Sequence, residues 1–288
     1  MTVTIVTDSA ASLDAAEAAR LGVVTVPMQV EIGGRPLGEA EVSLDELMAH
    51  IDEGVHTSGP APGAFLAAIG QAAENGGVLI LTVGERLSST YQSACTAAAM
   101  VDDPSQVCVV DTGTAAGAEG LVVLAAARAA AAGASLTEVE RQARAVCRRV
   151  RLVAAVEHLK YLAHGGRVPA IAARTGERLG VRPVFEMSQA QIHPLRPSLS
   201  AEGAREQILN HWRKSRPDDG DTALHVAALH ALRPEEAAAL MDAVTADTQP
   251  ETSFIGTFGP VMVAHTGPGV IGLAWWWGSV SPTSAAPS

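Results

Sequence analysis

Residues 78–83, Val-Leu-Ile-Leu-Thr-Val, form an uncharged run of aliphatic and β-branched side chains. That length and composition suit a strand buried on both faces, because a helix of the same burial would need a longer segment. A polar loop, Gly84-Glu85-Arg86-Leu87-Ser88-Ser89-Thr90, separates the run from an Ala-rich stretch at 94–100 that suits a helix. Strand, hydroxyl-bearing turn and helix recur twice more. Residues 3–6 lead into Thr7-Asp8-Ser9, and residues 107–110 lead into Asp111-Thr112-Gly113-Thr114 before a long Ala-rich helix at 116–132. Such alternation implies parallel strands joined by helical crossovers, with ligands received at the carboxyl ends of the strands. The three turns are therefore expected on one edge of the sheet. Ser88, Ser89 and Thr90 stand where hydroxyls and free backbone N–H groups gather, a place able to hold an anion.

The rest of the chain fits around that frame. Ser12 is read as the N-cap of a helix at 13–21. An extended run follows at 23–32, with Pro27 marking an edge or a kink and Gly33-Gly34 a turn. Ser43 with Glu46 is a capping box for a helix to about residue 51, and His56 to Gly63 reads as a loop before a helix at 64–73. Ser135 with Glu138 caps a helix running to about 149. Composition changes there, and a strand at 152–156 opens a second half. Its expected elements are a short helix ending on Gly165-Gly166, a helix at 170–180, a hairpin about Ser188-Gln189, a helix at 201–212, and a solvated turn at 218–221. Strands at 222–228, 254–258, 261–264 and 270–277 and a helix at 234–246 complete it, ahead of a Ser/Pro/Ala tail. His265 falls in a Gly/Pro turn after an apolar strand.

Composition narrows the function. Hydrophobic residues make up 48% of the 288 and charged ones 18%, enough for a sizeable core, while aromatics are only 3%. A net charge of −11 argues against nucleic acid and against docking on anionic lipid through a basic patch. No uncharged apolar run reaches the ~18 residues of a membrane span, and the N-terminus lacks a signal-peptide pattern, so a cytoplasmic protein is expected. Cys95, Cys108 and Cys147 lie in apolar stretches without CxxC spacing, as buried free thiols would. There is no nucleophile elbow, no phosphate loop and no His/Cys metal set, so no metal or cofactor is expected. Asp111-Thr112-Gly113-Thr114 mimics an aspartic-protease turn but has no second copy, and that chemistry needs two carboxylates.

Six stretches, in order, resemble the DegV family of bacterial fatty-acid-binding proteins. They are Val6 to Ala10, Thr57 to Phe65, Leu87 to Ala94, Asp111-Thr112, Leu159 to Arg167 and His265 to Gly269, so the likeness spans nearly the whole chain. The resemblance implies an α/β protein of two domains, 1–150 with a mostly parallel sheet and flanking helices and 151–288 of mixed α/β type. It implies one long-chain fatty acid buried between them. It implies that Thr57, Ser58 and Ser88 hold the carboxylate, with His265 and Arg167 in the same polar network and Asp8, Ser9, Ser89, Thr90 and Thr112 as possible outer support. It also implies, as for some members of the family, presentation of the bound acid to a separate fatty-acid kinase that converts it to an acyl-phosphate for phospholipid synthesis. Gly59 and Ser89 depart from the family pattern, which often has Gln and Gly there. Two rivals stand beside this reading: a serine-dependent hydrolase or phosphotransferase using Ser88 and His265, and a lipid-sensing regulatory module.

Overall fold

A computed structural model describes residues 2–73, 76–165, 180–218 and 222–279. Gly166, Arg167, nearly all of the helix expected at 170–180, the turn residues 219–221 and the tail beyond 279 lie outside the described residues.

The three strand–turn–helix units build one parallel sheet. Strands β1 (Thr4–Asp8), β2 (Val24–Val26), β6 (Val78–Thr82) and β7 (Val107–Asp111) lie in the order β2-β1-β6-β7, every pair parallel. The order reverses between β1 and β6, and such a switch point opens a crevice at the strand ends. Alternation sorts the side chains onto two covered faces. Val6, Val78 and Ile80 meet Phe65 and Ile69 of α3 (Pro62–Ala73) and Ala94 and Ala97 of α4 (Thr90–Ala98). Ile5, Leu79 and Leu81 face the opposite way, into the main core with α5 (Ala116–Ala131) and α6 (Leu136–Cys147).

The second half is a six-stranded mixed sheet in the order β10-β9-β8-β13-β11-β12. Its strands are β8 (Arg151–Ala155), β9 (Val184–Ser188), β10 (Gln191–Pro194), β11 (Leu224–His230), β12 (Thr252–Thr257) and β13 (Ile271–Trp277). Only β11 and β12 run parallel. Its outer face packs on α8 (Ala201–Lys214) and α9 (Pro234–Asp247) through Ile208, Trp212 and Leu240. Its inner face, including Leu152, Ala154, Phe185, Met187, Ala227 and Leu229, meets α5. Helix α5 thus lies between the two sheets, with fourteen of its sixteen residues buried. Ala and Gly make that possible: a Cβ on Gly117 would lie 2.6 Å from Leu229 Cδ2 and 2.8 Å from Ala227 Cβ.

A third, small sheet has the order β4-β3-β5, built from β3 (Gln29–Ile32), β4 (Arg35–Gly38) and β5 (His56–Ser58). The run at 23–32 breaks at Pro27, so its halves belong to different sheets. Gly33 and Gly34, with φ of 59° and 79°, close the β3–β4 hairpin.

Several expectations are corrected. Asp14, not Ser12, caps α1 (Ala15–Arg20), accepting from Ala16 N and Glu17 N, while Ser12 takes a left-handed conformation at the end of the short turn 9–11. His56 to Ser58 is a strand and not a loop, because Gln29, Val30 and Glu31 offer it an antiparallel partner. Residues 261–264 are not a strand. They belong to α10 (Pro260–Thr266), with Pro260 at its first position and the Glu39 carboxylate accepting from Val261 N at 3.0 Å. His265 consequently sits in the last turn of a helix. The three cysteines are free, as expected, but only partly buried. Trp275 and Trp276 alternate into the core, and Trp277 stays half-buried at its rim.

Candidate functional site

A cavity of about 220 Å³ opens where the parallel-sheet edge meets the inner face of the mixed sheet. Its polar lining is short: Thr57, Ser58, Ser88, Ser89, His265 and Thr266. The remainder is apolar or glycine, with Leu152, Ala154, Phe185, Met187 and Ile192 from the mixed sheet and Val261, Met262 and Val270 around α10. A mainly apolar concavity with a few convergent polar groups is the usual form of a small-molecule site.

Each polar group is placed by its element. Thr57 lies on β5 opposite Val30, and α10 packs on both β3 and β5. This brings Thr57 Oγ1 within 2.6 Å of His265 Nε2, although 208 residues separate them. Ser88 ends the loop after β6; its Oγ pairs with Thr90 Oγ1 at 2.8 Å and accepts weakly from Thr90 N at 3.3 Å. Gly59 joins the two hydroxyl groups. A Cβ there would lie 3.2 Å from Ser88 Oγ and would press on Thr90 Oγ1 and Cα, so glycine is what lets the Thr57-Ser58 strand approach the Ser88 loop. The other departure, Ser89, has φ −75° and ψ 5°, a conformation open to any residue.

The outer positions divide. Asp8, Ser9, Thr90 and Thr112 do not line the cavity. Asp8 is completely buried, and its carboxylate accepts from Ala10 N at 2.9 Å and Val83 N at 2.8 Å, joining the ends of β1 and β6. Burial pushes its carboxyl up to about 7, against the downward pull of those two N–H groups, and nearby Glu39 adds to the rise. Ser9 Oγ accepts from Met28 N and donates to Glu39 Oε2, so the carboxylate that caps α10 is itself held from the turn after β1. Thr112 Oγ1 donates to Thr82 O at 2.8 Å and belongs to the turn after β7. Arg167 lies outside the described residues.

Sequence reasoning did not single out Glu39. It is buried, and it ties Ser9 to the helix that carries His265. Nothing local signals that role, because its partners are 30 and 222 residues away. A second cavity of about 410 Å³ adjoins the first and shares Thr57 and His265 with it. Its walls include Asp52, Glu53, His56, Lys160 and Tyr161, with Lys160 Nζ 2.8 Å from Asp52 Oδ1 and 4.7 Å from the centre of the Tyr161 ring. Among the described residues no cluster of His, Cys, Asp and Glu could hold a metal ion, and no helix is long and apolar enough to cross a membrane.

The family model that matches this chain is that of the DegV family of uncharacterised proteins, and it covers residues 2–277. The chain belongs to the DegV family. A DegV domain-containing protein of Streptomyces coelicolor is 34% identical, over 94% of this chain and 97% of its own length. Among solved structures, a DegV family protein of Thermus thermophilus described by its fatty-acid binding superposes with a TM-score of 0.87 at 31% identity, covering 96% of this chain and 99% of its own. A DegV lipid-binding protein of Thermotoga maritima gives 0.84 at 27%, again over 96% and 99%. The mixed α/β architecture with one parallel and one mixed sheet is therefore the DegV fold, and its solved relatives include fatty-acid binders.

Proposed function

We propose that this DegV protein binds one long-chain fatty acid without turning it over. The carboxylate is held by Thr57, Ser58 and Ser88, with His265 and Arg167 in support, and the acyl chain fills the apolar cavity. The observation that carries this reading is the convergence of Thr57, His265 and, across Gly59, Ser88 on one otherwise apolar cavity. Energetics agree. Burying about 14 CH₂ groups at ~0.8 kcal/mol each gains roughly 11 kcal/mol before ordering costs. An unpaired buried carboxylate would forfeit several kcal/mol of that, which hydroxyl and imidazole donors offset.

The pairings favour binding over a serine enzyme. A nucleophilic Ser needs an imidazole as its base. Here Ser88 Oγ pairs with Thr90 Oγ1, while His265 Nε2 pairs with Thr57 Oγ1. The second cavity, which shares Thr57 and His265 with the first, supports presentation of the headgroup to a partner such as a fatty-acid kinase, which would reach it there. Denaturing mass spectrometry of the purified protein tests the reading. A stoichiometric fatty acid is expected, lost in Ser88→Ala without any change in ester or phosphate turnover. Repeatedly lipid-free wild-type protein, or hydrolysis abolished by that substitution, would overturn it.

A further inference from the structure

Two carboxyl groups lie beneath the cavity floor without touching it. Asp8 and Glu119 are both fully buried. Asp8 accepts from Val83 N and Ala10 N, and Val83 and Ala10 both line the cavity. Val83 leads directly into Gly84, whose carbonyl accepts from Leu87 N at 2.8 Å and Ser88 N at 3.3 Å. One carboxylate thus fixes wall residues at two strand ends and the root of the loop that carries Ser88. Glu119 stands one turn along α5 from Ala116, another lining residue. Its Oε1 accepts from Thr7 Oγ1 at 3.2 Å, and its Oε2 has no hydrogen-bond partner among the described residues.

This is an unfavourable arrangement for stability. Burial holds Glu119 well above the usual carboxylate range, with Asp8 and then Asp111 adding repulsion, and Glu39 acts on Asp8 in the same sense. Sites that break the ordinary rules of core composition are where function is to be sought. We propose that Asp8 is a positioning residue for the bound headgroup, holding the Ser88 loop through Val83, and that its buried acidic neighbourhood with Glu119 lowers stability in exchange for that placement. The proposal rests on the reading that Ser88 grips the carboxylate of a fatty acid.

Asp8→Asn separates placement from stability. A side-chain amide has one acceptor oxygen and one NH₂, so whichever way it turns, a donor faces either Ala10 N or Val83 N. One anchor is lost, but so is a buried charge. At pH 8 the variant is expected to bind oleate about tenfold more weakly or worse. Its thermal midpoint should be no lower than wild type, and amide exchange at Val83 and Ser88 should be faster in ligand-free protein. Glu119→Gln should raise the midpoint and leave Val83 protected. Wild-type affinity in Asp8→Asn, unchanged exchange at Val83 and Ser88, or affinity and midpoint falling together would each overturn the proposal. If the wild-type protein takes up no oleate, the fatty-acid reading falls, and exchange in the ligand-free proteins still decides whether Asp8 holds the loop.

Discussion

The two large sheets flank the same helix yet contribute opposite things to the cavity. The parallel sheet offers its ends: Val83 and the Ser88 loop stand at the carboxyl termini of its strands, where hydroxyls and backbone donors gather. The mixed sheet offers a face, with Leu152, Ala154, Phe185 and Met187 side by side on β8 and β9. A ligand with a charged end and a long apolar body needs both kinds of surface. The sheets also differ in the charges they bury. The parallel sheet hides carboxyls, Asp8 and the adjoining Glu119, which burial pushes above the ordinary carboxylate range. The mixed sheet hides His225 and His230, whose imidazoles burial pushes down. His225 suits the neutral form, with Thr252 Oγ1 2.8 Å from Nδ1, Gly278 O 3.1 Å from Nε2, and Trp276 stacked 3.9 Å away.

The contrast breaks most completely if the spacing between sheets is altered. Gly117→Val would drive side-chain carbons into Leu229 and Ala227, and a loss of roughly 3 kcal/mol is expected in denaturant unfolding. A smaller loss would mean that α5 can shift between its neighbours. Next comes Thr57→Val, which removes the hydroxyl paired with His265 Nε2. It should weaken fatty-acid binding by about 1–3 kcal/mol in a displacement titration while leaving the unfolding midpoint nearly unchanged. Equal losses of binding and stability would instead make the pair a structural tie.

A pH series sharpens the difference in buried charge. The Asp8 carboxyl is raised in the fold from 3.8 to about 7, so the stability it contributes is complete below its unfolded value and is lost as pH rises through about 7. Lowered imidazoles act in the other sense: the contributions of His225 and His230 are complete above 6.5 and are lost as pH falls. Amide exchange resolved by strand should therefore show β1 and β6 opening more readily toward alkaline pH and β11 toward acid. A common trend in both sheets would erase the distinction. The smallest effect is Ser135→Ala, which removes the hydroxyl that caps α6, a helix packed on α5 and on the parallel sheet. It should cost about 1 kcal/mol of stability without moving lipid affinity.

What could be read from the sequence follows the same divide. The buried run at 78–83, the turns after β1 and β7 and the caps at Ser43 and Ser135 are local signals, and the structure keeps them. Pro27 announced a break, although not that the two halves would join different sheets. Residues 261–264 misled because Val261 and Val263 favour a strand locally, whereas Pro260 and the distant Glu39 carboxylate make that segment the start of a helix. Three residues at 56–58 are too few to show a period of two, and only the register with Gln29 to Glu31 makes them a strand. For the site, Ser88 and Ser89 were legible as turn residues, whereas Thr57 and Ser58, read as a loop, stand on β5. The tie between Thr57 and His265 was not legible, because a contact across 208 residues leaves no mark on either neighbourhood.

The placement of α5 bears on how the gene could be cut. The helix is encoded with the parallel sheet, yet Gly117 faces Leu229 and Ala227 of the mixed sheet. A chain ending near residue 150 would carry an uncovered Ala-rich face into solvent, and a chain beginning there would show the bare side of β8, β11 and β13. Fragments made from such a split are expected to be insoluble apart and to recover only when produced together, so shuffling halves between relatives would have to carry α5 and the sheet it leans on as one exchangeable unit.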